Sequence, residues 1–158
     1  MTRDEFLERY EAIYEASPWV AEAAWEAGAR EGEALAAAMR AAVDGAPREQ
    51  RLALIRAHPE LAGRAAIAGD MAEASKKEQS SAGLDQCTPH EFADFQTLNS
   101  AYNARFGFPF IIAVKGHGRA SILSEFRRRL DNDPETEFDT AIDQIHRIAG
   151  FRLAALND

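Results

Sequence analysis

The chain has 158 residues, of which 46% are hydrophobic and 28% charged, with a formal net charge of −8. That length and mixture suit one globular domain around one core and exclude a disordered chain. The acidic balance argues against nucleic acid and anionic membranes as partners, so an anionic substrate would need a local Arg or a helix N-terminus to hold it.

One cysteine, Cys87, rules out an internal disulfide and fits a reducing compartment. A lone Cys is a possible nucleophile, but no His/Asn pattern points at this one. Met1 to Glu5 lacks the basic, apolar character of a leader, and no run of about 18 apolar residues reads as a membrane span. The chain ends Ala155-Leu156-Asn157-Asp158, unlike a peroxisomal address. A cytoplasmic location is expected.

In chain order the pattern is helix after helix. Thr2-Arg3-Asp4-Glu5 forms a capping box, followed by Phe6, Tyr10 and Ile13 at helical spacing. Ser17-Pro18 opens a second helix with Trp19 and Ala23 on its buried face, and Gly28 and Gly32 punctuate its end. Leu35, Met39 and Val43 make the stripe of a third. Pro47 begins a fourth, through Leu52, Ile55 and Arg56, and Pro59 forces a boundary after His58. Ala62 to Asp70 reads as irregular. A helix over Met71 to Ala82 closes on Gly83.

Thr88-Pro89-His90-Glu91 is a second capping box, opening a long helix with Phe92, Phe95, Leu98, Tyr102 and Phe106 on one side. Ser121 is a candidate cap for Ile122 to Leu130, and Asp133-Pro134 starts a last helix with Phe138, Ile142, Ile145, Ala149 and Leu153 as its stripe. Phe108 to Val114 is a continuous apolar run with strand-like composition but no partner strand, and is read as an extended buried segment. The expectation is an all-α single domain over residues 1–158, a helical bundle of about seven to nine helices.

Gly116-His117-Gly118 before a helix is half of a dinucleotide fingerprint; without the third glycine and a βαβ frame, a turn is the better reading. The four histidines are His58, His90, His117 and His146. None pairs at the i, i+4 spacing of a helical zinc site, so no metal is expected. His90 reads as decorating a first helical turn and His146 as a partly buried packing residue.

Ser75, Glu78 and Gln79 sit at i, i+3 and i+4 and project from one helix face, a hydroxyl, a carboxylate and an amide together. Ser75-x-x-Glu78 is equally a capping box, and His58 equally a polar residue at a helix end before proline. Spacing alone does not choose between these.

Four blocks resemble the 2-oxo-4-hydroxy-4-carboxy-5-ureidoimidazoline (OHCU) decarboxylase family, in that family's order and over nearly the whole chain. They are His58-Pro59-Glu60-Leu61-Ala62-Gly63-Arg64, Ser75-Lys76-Lys77-Glu78-Gln79-Ser80-Ser81-Ala82-Gly83-Leu84, Leu98 to Tyr102 with Phe106 to Phe110, and Ile145 to Leu153.

The resemblance implies an all-α homodimer without a cofactor that decarboxylates an anionic small molecule in urate degradation, yielding (S)-allantoin and CO2. It implies His58 as the catalytic residue with Glu78 beside it. It implies Pro59, Ser75, Gln79 and the backbone of Phe110, Ile111 and Ile112 as pocket lining, with Arg152 in the last helix as a looser match. Other readings are a non-catalytic binding module of the same fold and a hydrolase acting on a ureido compound; the second would call for a metal or an activated nucleophile.

Overall fold

A computed structural model of the chain describes residues 1–63 and 71–157. Among the described residues there are eight α-helices: α1 (Arg3–Tyr10), α2 (Trp19–Glu26), α3 (Gly32–Asp44), α4 (Arg48–Ala57), α5 (Glu73–Ser81), α6 (Pro89–Phe106), α7 (Arg119–Leu130) and α8 (Pro134–Leu156). A 3-10 turn at Leu84–Gln86 joins α5 to α6, and no strand occurs among the described residues. The expected all-α class holds. Most of the segment read as irregular, residues 64–70, lies outside the described residues.

The contacts gather in two compact units, one of Met1–His58 with Ile145–Asp158 and one of Pro59–Gln144. In the first, Thr2 caps α1 through the expected box, its hydroxyl accepting from Glu5 N at 3.2 Å while the Glu5 carboxylate accepts from Thr2 N at 3.1 Å. Phe6 packs on Tyr10 and Trp25 with ring centroids 4.8 and 5.2 Å away. Leu35, Met39 and Val43 are buried as the α3 stripe requires. In α4 the buried residues are Leu54 and Ile55, while Leu52 is half-buried.

The second unit is organised around aromatic rings. The second capping box is present, with Thr88 accepting from Glu91 N at 3.1 Å. The buried stripe of α6 is Phe95, Asn99 and Tyr102, and the expected Phe92 is exposed at the helix start. Tyr102 meets Phe110 edge-on at 5.5 Å, and Phe110 stacks on Phe126 at 4.0 Å. Helix α7 opens at Arg119 with Gly118 as its cap. Ser121 therefore lies inside the first turn, where it bonds His117 Nδ1 at 2.6 Å instead of capping the helix. Asp133 caps α8, accepting from Thr136 N at 3.0 Å.

The apolar run is an extended buried segment, as expected: Phe110, Ile111 and Ile112 are 1%, 3% and 7% exposed. Its backbone groups still need partners, because buried peptide groups are costly when unpaired. Side chains supply them. Ile111 O accepts from the Arg129 guanidinium, and Ala113 N donates to Gln144 Oε1 at 2.9 Å. Arg129 is in turn neutralised by Glu137, with Nε 2.8 Å from Oε1, and Tyr102 donates to the same oxygen at 2.6 Å. Burial, reinforced by Glu137, pushes the Tyr102 phenol well above its ordinary range, so it remains a donor.

Candidate active site

His58 ends α4 because Pro59 follows it. The residue before a proline is driven out of the helical region, and His58 takes φ −76°, ψ 138°. Its side chain is buried, with 8% exposure, and Nδ1 lies 3.0 Å from Leu54 O. A carbonyl only accepts, so Nδ1 carries the proton and the neutral imidazole presents Nε2 as a lone pair. Burial pushes the pKa down to about 4; the Leu54 bond and the Glu15 carboxylate oppose that shift, and the Arg152 cation adds to it. At neutral pH His58 is an uncharged base.

Arg152 belongs to the same unit. It is 8% exposed on α8, and Nη1 lies 2.9 Å from Glu15 Oε2, itself buried. The same nitrogen donates to Ala12 O at 3.2 Å and Ile13 O at 3.4 Å. The α1–α2 loop thus curls around the guanidinium. Its conformation is fixed at several points: Ser17 Oγ donates to Glu15 O at 2.8 Å, and Ala16 has a φ of 46°. Tyr14 O–H bonds His146 Nδ1 at 2.8 Å, and His146 Nε2 bonds Asp44 at 2.9 Å. Sequence reading passed over Glu15, because a glutamate beside a turn looks solvated. His146 is buried, but as the centre of this network and not merely as packing.

On α5 the capping reading of Ser75 is excluded. The N-cap is Ala72, which makes no side-chain cap bond, and Ser75 sits in the helix. Ser75 and Gln79 are buried on one face, at 4% and 5% exposure, with Glu78 half-buried beside them. Gly83 ends the helix with φ 79°, and a Cβ there would lie 2.7 Å from Arg119 Nη1. The left-handed φ is what favours glycine here, since the arginine tip could shift to admit a Cβ.

The amide of Gln79 is engaged at both ends: Oε1 accepts from Ala62 N at 3.0 Å and Nε2 donates to Glu60 O at 3.2 Å. Three residues of α6 complete the hold on this loop. Gln96 donates to Ala62 O at 2.7 Å, Asn99 to Leu61 O at 3.0 Å and Asn103 to the Glu60 carboxylate at 2.7 Å. Ala62 has φ 50°, a left-handed conformation that costs a non-glycine residue free energy and persists where its surroundings over-determine it. Here both its N–H and its C=O are clamped by side-chain amides. The loop following His58-Pro59 is therefore held by side chains that sequence reading gave no role: Gln96 and Asn103 were passed over, and Asn99 entered only within the Leu98 to Tyr102 block.

A cavity of about 670 Å3 opens in this unit, lined by Met71, Lys76, Gln79, Leu84, Cys87 and Phe92 among others. Of the expected site residues, Gln79 reaches it. Among the described residues, no group of three or more His, Cys, Asp or Glu side chains is placed to hold a metal. His90 sits against Asp94 at 3.6 Å on an exposed surface, and the Gly116-His117-Gly118 stretch is a turn leading into α7. No helix among the described residues is long and apolar enough to cross a membrane.

Known proteins agree with the family resemblance. The OHCU decarboxylase family profile matches residues 1–154. An OHCU decarboxylase of Haloferax volcanii is 44% identical over 152 residues, covering 96% of this chain and 88% of that protein. One of Mus musculus is 37% identical, covering 96% and 86%. The crystal structure of an (S)-allantoin synthase superposes with a TM-score of 0.78 at 32% identity; it covers 99% of this chain, which spans about half (51%) of that longer one. An OHCU decarboxylase crystallised in the presence of (S)-allantoin shares the fold, with a TM-score of 0.77 over 95% of this chain and 99% of its own, at 21% identity. With its four sequence blocks in order and residues 1–154 matched, this chain belongs to the OHCU decarboxylase family.

Proposed function

We propose that this chain decarboxylates 2-oxo-4-hydroxy-4-carboxy-5-ureidoimidazoline, releasing CO2 and leaving (S)-allantoin, as a step of urate degradation. Membership of the family over the whole chain carries the reading. The state of His58 supports it: a buried, neutral imidazole with Nδ1 engaged and Nε2 available as a base.

The substrate bears a carboxylate and a hydroxyl on one ring carbon, beside a C=N bond. When the C–CO2 bond breaks, its electron pair forms a C=C bond to the neighbouring carbon. The C=N pair moves onto nitrogen, which takes a proton. The resulting enol loses its hydroxyl proton as the C=O forms, and a proton is delivered to the ureido-bearing carbon. The ring itself is the electron sink, so the reaction proceeds without a metal or organic cofactor.

His58 Nε2 takes the hydroxyl proton, since a neutral imidazole is a base at working pH. Glu78 acts with it in proton transfer. Pro59, Ser75, Gln79 and the Phe110, Ile111 and Ile112 backbone shape the pocket, and Arg152 receives the anion that the acidic chain would otherwise repel. The enzyme works as a cytoplasmic homodimer. The test is direct: substrate generated in situ from urate should yield CO2 and one allantoin enantiomer, where ammonia or urea release would indicate a hydrolase.

A further inference from the structure

Glu15 lies outside the expected site, yet it is buried and paired with the one arginine proposed to meet the substrate. We propose that Glu15 acts through Arg152 as a charge-balancing positioning residue, tempering the arginine so that it orients the substrate carboxylate without gripping it. The inference rests on the reading of Arg152 as a substrate contact.

The argument starts from the reaction. The carboxylate is anionic in the ground state and departs as neutral CO2. An interaction that is stronger with the ground state than with the transition state raises the barrier. A buried, unneutralised guanidinium would be such an interaction, because low dielectric magnifies its attraction. Glu15, 2.9 Å from Arg152 Nη1, cancels much of that field. The arginine is also kept in place independently of the charge, since Ala12 O and Ile13 O accept from the same nitrogen. The two carbonyls thus share the positioning with Glu15, which adds the opposing charge. The loop that presents Glu15 is itself pinned by Ser17 and by the Tyr14–His146–Asp44 chain. The same carboxylate also opposes the burial penalty at His58.

The experiment compares wild type, Glu15→Gln, Arg152→Gln and the double variant by steady-state turnover of enzymatically generated substrate. Glu15→Gln keeps an acceptor but removes the charge. Both KM and kcat should fall on the order of tenfold, leaving kcat/KM nearly unchanged, the signature of tighter ground-state binding. Arg152→Gln leaves the Glu15 charge facing an anion, so KM should rise steeply. In the double variant KM should recover towards wild type, because both charges are gone. That second comparison stands even if Glu15→Gln alone fails to fold. An unchanged or raised KM in a folded Glu15→Gln, or a double variant no better than Arg152→Gln, would overturn the proposal while leaving the function intact. A folded wild-type chain without turnover would overturn both.

Discussion

His58 carries the account at the scale of single residues. His58→Asn should cost roughly 10²–10⁴-fold in kcat, the usual worth of a general acid–base group, with a circular-dichroism spectrum and fold like wild type. Its pKa of about 4, against an ordinary 6.5, has two consequences. Turnover should stay level from neutral pH down to about 5 and decline only towards 4; a limb centred at 6.5 would contradict a buried neutral imidazole. For stability, the unfolded chain takes up a proton between pH 6.5 and about 4 that the folded chain refuses. Stability should therefore fall as pH drops through that window, and His58→Asn should remove that part of the slope in denaturant titrations.

Glu78→Gln discriminates a second role. Helix α5 is capped at Ala72, so Glu78 is not a capping-box residue. The substitution should leave the melting temperature near wild type and lower kcat by a factor on the order of 10² or more. Near-normal kcat would remove Glu78 from the mechanism. His58 and Arg152 were singled out in the sequence because they fall in family blocks. Glu15 was not, since its burial comes from a loop closing around an arginine some 140 residues away in sequence, which no local pattern encodes.

At the scale of elements, sequence chemistry was most readable where it is local. Both capping boxes, the proline after His58 and the cap at Asp133 stand where the sequence puts them, because each is decided within a few residues. It was least readable where a polar side chain serves a distant backbone. Asn99 took the core position expected of Leu98 because it must reach Leu61 O. Ser121 lost its capping role to Gly118, whose extended backbone starts α7 earlier.

The clamp on the Glu60–Ala62 loop is testable at this scale. Gln96→Leu leaves the buried Ala62 carbonyl without its donor. That should cost about 1–3 kcal/mol by denaturant midpoint. An unchanged midpoint would show that the clamp is not needed. The extended segment makes the same point: its apolar sequence predicted burial, but nothing local pointed to the Arg129–Glu137 pair that holds Ile111 O.

At the scale of the whole molecule, the all-α class followed from a chain of helical periods with a single strand-like run that had nothing to pair with. Family membership, and with it the reaction, came from motif order, which composition could never supply. The cofactor-free reading predicts that turnover survives dialysis against strong chelators; loss of activity restored by one divalent ion would overturn it. The proposed homodimer should sediment with a mass twice that of the 17.4 kDa chain at micromolar concentration; a monomer mass would remove it.

The most direct test of the central claim is to generate the unstable ureidoimidazoline from urate with urate oxidase and hydroxyisourate hydrolase, add the purified chain, and follow circular dichroism and CO2 together. A decarboxylase of this family should accelerate CO2 release and yield (S)-allantoin alone. Substrate decay at the spontaneous rate, or racemic allantoin, would contradict it.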